Sequence, residues 1–285
     1  MRKKKPSQTA IKVALNIIAL SHLDSMKNVL PDGIVQASVD LLKASEAAPR
    51  KRIEKHQSPK ILSLYKKFDW MLPGQFETFG YRKAFFENSV KNAVTDGVEQ
   101  VLVLGAGFDT IGYRLSKEFP DVNFFEIEEP ATAAAKIKGL KKLGAAANLF
   151  VLPEDLGKKK LSEVFEADSR WRKNKRTIIT AEGLLQYLDP GSVSALFREC
   201  HKNSGENSRI AFTYVGSRPD GRPDAGPRSG LMLWLLKVGG EPWLWSTTEE
   251  DLNKLLNETG WEYSEGLTGP AKKKGIEYFA SAIRQ

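Results

Sequence analysis

The chain of 285 residues has few residues of the types that build disulfide frameworks and metal sites: one cysteine and three histidines. Cys200 on its own cannot form an internal disulfide or a paired-cysteine metal site, and the histidines are widely separated. We therefore predict neither a disulfide framework nor a bound metal. A single cysteine is consistent with a reducing compartment, so we expect a cytoplasmic protein.

Long apolar runs and a broad basic surface are also missing. The longest apolar stretches, such as residues 231–236, are far shorter than the roughly 20 residues of a membrane span. The net charge is +8, but residues 1–60 supply +7 of it and the remainder is nearly neutral. Because the chain after residue 60 is nearly neutral, it lacks the broad basic surface that binds the phosphate backbone of nucleic acids. We expect neither a nucleic acid nor a membrane as a partner.

The first 95 residues show helical periodicity and no strand pattern. Apolar residues recur at helical spacing from residue 8, and a Pro-Asp-Gly break precedes a second helix predicted over residues 34–48. Residues 49–52 are predicted to be a charged linker, followed by helices over residues 59–70 and 85–95. We predict that residues 1–95 form an N-terminal helical cap.

After residue 95, short apolar runs alternate with helical stretches, which is typical of βαβ units in a parallel sheet. Seven runs are predicted as strands, at residues 100–104, 123–127, 148–152, 177–181, 209–215, 261–267 and 278–283. A turn region at 269–275 joins the last two. The pattern predicts an α/β fold with a seven-stranded, Rossmann-like sheet over residues 96–285, mostly parallel with the last strand antiparallel. Residues 216–246, rich in Pro and Gly, predict an insertion.

A glycine turn follows the first predicted strand. Gly105-Ala106-Gly107 precedes a helix, and glycines there let a ligand approach the backbone at the carboxyl edge of the sheet. The second strand ends in acids, at about the spacing at which nucleotide sites bind ribose hydroxyls. Glu126 and Glu128 both qualify, and Glu128 lies nearer the strand tip. The dinucleotide fingerprint requires a third glycine at position 110, which is Thr, so S-adenosylmethionine is favoured over NAD.

Three segments together resemble a known family. They are Gly105-Ala106-Gly107-Phe108-Asp109-Thr110, Phe125-Glu126-Ile127-Glu128-Glu129-Pro130 and Glu182-Gly183-Leu184-Leu185-Gln186-Tyr187-Leu188. In order and spacing, these segments are similar to the leucine carboxyl methyltransferase family, and more narrowly to its bacterial branch of S-adenosylmethionine-dependent O-methyltransferases. The resemblance implies a methyltransferase sheet and S-adenosyl-L-methionine as the cofactor.

The resemblance also implies which residues bind the cofactor. Arg82 would hold its carboxylate, Glu182 its amino group, and the turn of Gly105, Ala106 and Gly107 its methionine part. An Arg at position 82 suits a carboxylate because its guanidinium can donate two parallel hydrogen bonds.

The remaining contacts would fall on the nucleoside part. Glu128 would bind the ribose hydroxyls, although the family usually has Asp there, and Asp155 and Leu156 would bracket the adenine. At position 157 this chain has Gly where the family has a residue similar to Arg, which weakens the match for Asp155.

The reaction predicted from this resemblance is methyl transfer to a carboxylate or hydroxyl oxygen of a small molecule or peptide. A carboxylate is already ionised at neutral pH, whereas a phenol or alcohol needs a general base, and no residue is assigned that role. Two alternatives are a non-catalytic S-adenosylmethionine-binding protein and an NAD-dependent oxidoreductase. The acceptor and the oligomeric state are not specified by the sequence.

Overall fold

The computed structural model describes residues 5–70, 73–266 and 276–285 of the chain. Five helices precede the first strand: α1 (Gln8–Leu20), α2 (Ile34–Ser45), α3 (Arg50–His56), α4 (Leu62–Asp69) and α5 (Gln75–Thr95). Six follow it: α6 (Ile111–Glu118), α7 (Pro130–Leu143), α8 (Leu161–Glu166), α9 (Pro190–Lys202), α10 (Ser229–Val238) and α11 (Glu249–Glu258). Within these ranges, no helix is long and apolar enough to cross a membrane.

The strands form one seven-stranded sheet with the order β3-β2-β1-β4-β5-β7-β6. They are β1 (Gln100–Leu104), β2 (Asn123–Glu128), β3 (Leu149–Pro153), β4 (Thr177–Ala181), β5 (Arg209–Val215), β6 (Trp261–Gly266) and β7 (Glu277–Arg284). The pairs from β3 to β5 are parallel, and β7 is antiparallel to both β5 and β6. The predicted fold class, a mostly parallel sheet with an antiparallel last strand, is confirmed.

Strand register brings three chain segments to one edge of the sheet. Leu104 at the end of β1 is aligned with Ile127 of β2 on one side and with Ala181 of β4 on the other. The residues that follow these positions therefore lie side by side at the carboxyl edge. This alignment places the glycine turn beside Glu128 and Glu182.

Alternate residues of the central strands bury opposite faces of the sheet, as a sheet covered by helices on both sides requires. Leu102 and Phe125 belong to the apolar core on one face, and Val101 and Phe124 to the core on the other. A third core joins α1 and α2 to α7 and the glycine turn, through residues such as Leu15, Leu42, Phe108 and Leu140. The N-terminal helices therefore pack against the sheet's carboxyl edge and its flank.

Two predictions for the N-terminal region were wrong. Residues 49–52 do not form a linker, because Arg50 begins α3 with Pro49 at its N-cap position. Helix α5 begins at Gln75, ten residues before the predicted start. Its first half shows no clear apolar stripe because it buries charged residues, among them Arg82 and Lys83. The turn predicted at residues 269–275 lies outside the described residues.

A fully buried ion pair lies between β2 and α7. Lys136 Nζ is 2.6 Å from Glu126 Oε2, and neither side chain has solvent exposure. The pair is close but lacks the angle of a hydrogen bond, since both oxygens of Glu126 are without a hydrogen-bond partner in the described part of the chain. Burial raises the pKa of Glu126, and Lys136 acts in the opposite direction. Lys136 is therefore the counterion of this buried carboxyl group and partly offsets the cost of charging it.

We expect Lys136→Met to lower the free energy of unfolding by about 3–5 kcal/mol, because it leaves Glu126 buried without its counterion. The pKa of Glu126 then rises further, so the native state binds more protons than the unfolded state above pH ~4.3. The loss of stability should therefore grow as the pH rises. Urea unfolding at pH 5 and pH 8 measures this.

The matched control is Glu126→Gln/Lys136→Met, which removes both charges and should recover most of the lost stability. Equal stability of Lys136→Met at both pH values would contradict a charged Glu126.

Candidate functional site

A cavity of about 800 Å³ lies at the carboxyl edge of the sheet. Its floor is formed by the turn after β1 and by the ends of β2 and β4. Its walls come from α1, α5 and the segment of residues 240–244 after α10. Ligands of open parallel sheets bind at this edge, where the strand order reverses between β1 and β4. The cavity is thus the candidate functional site.

The glycine turn is shaped by close contacts on two sides. Gly105 and Gly107 have φ angles of +63° and +47°, a region that favours glycine. A Cβ atom at Gly105 would lie 3.1 Å from a methyl group of Leu184, and one at Gly107 would lie 3.0 Å from Ala10 Cβ. Gly105, Gly107 and Ala106 between them all line the cavity, so the backbone of the turn is open to a ligand.

Glu128 and Glu126, the two acids of β2, have different surroundings. Glu128 lines the cavity, and the backbone N–H of Gly107 donates a 2.6 Å hydrogen bond to its Oε2. Burial raises the pKa of Glu128, while this hydrogen bond and the charge of Lys136 oppose the increase. Glu126 is not among the residues that line the cavity and is held in the ion pair with Lys136.

Arg82 is the centre of a buried charge network. Its Nε donates to Glu182 Oε1 at 2.8 Å, and its Nη1 donates to Glu277 Oε2 at 2.5 Å. The guanidinium also lies over the ring of Phe79. Burial alone would lower the pKa of Arg82, but the two carboxylates outweigh it and raise the pKa. Arg82 thus joins α5 to the end of β4 and the start of β7.

Lys83 extends the same network. Its Nζ binds Asp109, which follows the glycine turn, and lies 2.7 Å from Glu182 Oε1. Asp109 Oδ1 in turn accepts the backbone N–H of Ile111 at the start of α6. Burial opposes the charge on both members, but their pairing raises the pKa of Lys83 and lowers that of Asp109. Both groups are therefore charged within the protein.

The two residues predicted beside the adenine are separated by the structure. Asp155 lines the cavity, caps the turn after β3 through the N–H of Gly157, and pairs with Lys158 at 2.7 Å. Leu156 is not among the cavity-lining residues and packs against the sheet's apolar core. The other predicted residues, Arg82, Gly105, Ala106, Gly107, Glu128 and Glu182, all line the cavity.

Some polar residues that line the cavity were not predicted from the sequence. Glu241 accepts a hydrogen bond from the hydroxyl of Thr9 in α1, and this contact closes one side of the cavity. Gln186 is buried and lines the cavity, and its Oε1 has no hydrogen-bond partner in the region described. Glu277 was also missed. Glu241 and Glu277 lay outside the quoted motifs, whereas Gln186 lay within one of them, so among these three a sequence signal was available for Gln186 alone.

The charge of the cavity lining is strongly negative. Two cations, Arg82 and Lys83, face seven carboxylates: Asp109, Glu128, Glu129, Asp155, Glu182, Glu241 and Glu277. Both cations are already paired with carboxylates. In the described ranges, no three or more His, Cys, Asp or Glu side chains are arranged so that they could hold a metal ion. The site therefore suits a ligand with net positive charge and is unfavourable for one with several negative charges.

Comparison with known proteins identifies a family. The family model described as leucine carboxyl methyltransferase matches residues 12–201. A relative from Mycobacterium marinum, named "Putative S-adenosyl-L-methionine-dependent methyltransferase", is 33% identical over 150 residues, which cover 52% of this chain and 47% of the relative. One from Frankia alni with the same designation is 27% identical over 212 residues, 71% of this chain and 72% of the relative. The chain spans about half the length of the mycobacterial relatives it matches.

A solved structure supports the fold. A protein from Thermobifida fusca, titled a putative methyltransferase, superposes with a TM-score of 0.58 at 14% identity, over 92% of this chain and 98% of that one. This likeness shows a methyltransferase fold. The family resemblance inferred from the three motifs is confirmed by the family model, and the relatives' names agree with the predicted cofactor.

Proposed function

We propose, since this chain belongs to the leucine carboxyl methyltransferase family, that it binds S-adenosyl-L-methionine in the cavity and transfers the methyl group to an acceptor oxygen. The observation that carries the proposal is the charge of the lining. At neutral pH the cofactor has a sulfonium, an ammonium and a carboxylate, and thus a net charge of +1. A cavity rich in carboxylates favours it.

The same charge argues against the oxidoreductase alternative. NAD contains a pyrophosphate, which would have to lie beside carboxylates with both nearby cations already paired. The turn also has Thr110 where a dinucleotide site needs glycine. Both features favour a cofactor without phosphate.

The proposed contacts of the cofactor's methionine part follow from unused donors and acceptors. The ion pairs of Arg82 engage its Nε and Nη1, so Nη2 is the group we assign to the cofactor's carboxylate. Both cations bind Oε1 of Glu182, so Oε2 is assigned to the ammonium. The backbone of the turn from Gly105 to Gly107 lies against the rest of this part.

The nucleoside part is assigned to the ends of β2 and β3. Glu128 would accept the ribose hydroxyls, since its Oε2 is fixed by Gly107 N–H at the strand tip. Asp155 would lie beside the adenine. Leu156 is a weaker assignment, because its side chain packs into the core.

We further propose the division expected from the sequence, with residues 1–95 as a cap on a methyltransferase domain of residues 96–285. The packing of α1 against the glycine turn and the contact between Thr9 and Glu241 support it. Such a cover would exclude water from the reacting groups.

When bound, the cofactor would supply a methyl group on a sulfonium sulfur. The acceptor oxygen would form the new bond to the methyl carbon in line as the bond from that carbon to sulfur breaks, and S-adenosylhomocysteine would leave. We propose a hydroxyl as the acceptor, because a carboxylate would be repelled by the acidic lining. A hydroxyl must lose its proton to a base. Asp109, Glu182 and Glu277 are tied to cations.

Glu128 is assigned to the ribose, Glu129 caps α7, and Asp155 pairs with Lys158. Glu241 remains, bound to the neutral hydroxyl of Thr9. We therefore assign Glu241 as the base that takes the acceptor's proton.

Isothermal calorimetry should show one S-adenosyl-L-methionine bound per chain and no binding of NADH at concentrations that saturate the first ligand. The physical reason is the complementarity between the cationic cofactor and the acidic cavity. Binding of NADH with equal affinity, or the absence of heat with both the cofactor and its demethylated product, would reject the proposed function.

Glu128→Ala should weaken cofactor binding by about 1.5–3 kcal/mol, because charged hydrogen bonds to the ribose are lost. Glu128→Asp should be tolerated, since the family usually has Asp there. The double variant Glu126→Gln/Lys136→Met, which leaves no unpaired buried charge, is the control on the same strand, and its Kd should change far less than that of Glu128→Ala. The reverse pattern would show that the wrong acid was assigned.

Methyl transfer should be faster to phenols and alcohols than to carboxylic acids of similar size, measured as release of S-adenosylhomocysteine. Glu241→Gln should slow the hydroxyl acceptors by at least about 100-fold while cofactor affinity is unchanged. Any residual transfer to carboxylic acids serves as the internal control, since it needs no base. Preferred use of carboxylic acids would overturn the acceptor assignment, and cofactor binding without transfer to any acceptor would favour a non-catalytic role.

A further inference from the structure

Helix α10 turns an apolar stripe toward solvent. Leu231, Trp234, Leu235 and Val238 recur at helical spacing and are 44%, 58%, 40% and 67% exposed. A surface helix ordinarily buries such a stripe against the core. In α10 the residues that line the cavity are instead Met232 and Leu236, on the other side of the helix. The outer stripe therefore contributes nothing to the core or the cavity.

A second exposed tryptophan continues this surface. Trp70, just after α4, is 51% exposed, and the guanidinium of Arg228 lies 4.2 Å from the centre of its ring. This contact joins the end of α4 to the start of α10. We call the surface made of Trp70, Leu231, Trp234, Leu235 and Val238 the α10 patch. Monomeric proteins rarely expose contiguous apolar patches unless these bind something.

Cations outnumber acids around the α10 patch, where the acids are Asp69 beside Trp70 and Asp224, which accepts a hydrogen bond from Ser229 at the start of α10. Arg228 and Lys237 belong to α10 and its N-cap, and Lys66 and Lys67 lie in the last turn of α4. All four are exposed, and none forms an ion pair with a carboxylate among the described residues. Helix α10 itself contains no acidic residue. The patch therefore combines exposed apolar side chains with a net positive charge.

We propose that the α10 patch binds the surface of an anionic lipid bilayer. Leu231, Leu235 and Val238 would enter the acyl boundary, and Trp70 and Trp234 would lie at the headgroup level, where amphipathic rings are favoured. The flanking lysines and arginine would contact anionic headgroups, each contributing electrostatic attraction near the surface. The contact is peripheral and needs no membrane-spanning helix; as a proposal it differs from the expectation that no membrane is a partner.

Charge favours a lipid surface over a second copy of the chain. Two copies that met through the α10 patch would bring Lys66, Lys67, Arg228 and Lys237 of each chain against the same residues of the other. Such a contact brings together two surfaces on which cations outnumber the carboxylates of Asp69 and Asp224, which is unfavourable. An anionic surface compensates the same charges.

Flotation with vesicles tests the proposal. We expect at least about tenfold more protein bound to vesicles of phosphatidylcholine mixed with phosphatidylglycerol than to pure phosphatidylcholine, and a decrease with added salt. Leu235→Glu and Trp234→Ala should each reduce binding at least about tenfold. The control is Ile137→Glu, which replaces an exposed apolar residue of α7, and it should bind as the unaltered protein does.

Three results would overturn the inference: no binding of the unaltered protein to anionic vesicles, an equal loss in the Ile137→Glu control, or a dimer in solution that Leu235→Glu dissociates while vesicles bind neither form. Calorimetry with S-adenosyl-L-methionine on the same variants separates this test from the proposed function. Leu235→Glu should keep the cofactor affinity of the unaltered protein, because Leu235 does not line the cavity.

Discussion

The buried guanidinium of Arg82 is the interaction on which the site depends. It binds Glu182 at the end of β4 and Glu277 at the start of β7, and so fixes α5 against two strands that are far apart in sequence. A cation buried in this way is stable only with its counterions in place. Arg82 also lines the cavity, so the same pairing holds in place the residue that we assign to the cofactor's carboxylate. Folding and ligand binding therefore rely on one set of charges.

This network explains why the cavity differs from a phosphate site. Its two cations are neutralised within the protein, and the lining as a whole has seven carboxylates against these two cations. The glycine turn lets a ligand approach its backbone, but it has no positively charged side chain. Such a surface favours a small cationic cofactor. It repels an anion, and this applies equally to a carboxylate acceptor.

The cover of the cavity is built from both ends of the chain. Helix α1 approaches the glycine turn so closely that a Cβ atom at Gly107 would lie only 3.0 Å from Ala10 Cβ, and Thr9 reaches the segment after α10. Helix α10 thus has two faces with different surroundings: Met232 and Leu236 beside the cavity, and an apolar stripe in solvent. The inner face belongs to the proposed reaction and the outer face to the proposed lipid contact.

The sequence by itself determined the sheet, the glycine turn, Glu128 and the family, because each depends on neighbouring residues: apolar runs, a strand-to-helix turn, an acid at a strand tip. It also placed Arg82 and Glu182 in the site through the family's motifs. Only the tertiary structure decided that Arg82 pairs with Glu277, 195 residues away, that Leu156 turns into the core, and that Glu126 is buried against Lys136. Those outcomes depend on how distant elements pack, which no local periodicity encodes. For the same reason the bounds of α5 were missed, since its buried face is charged and its charges are satisfied by β4, β7 and the glycine turn.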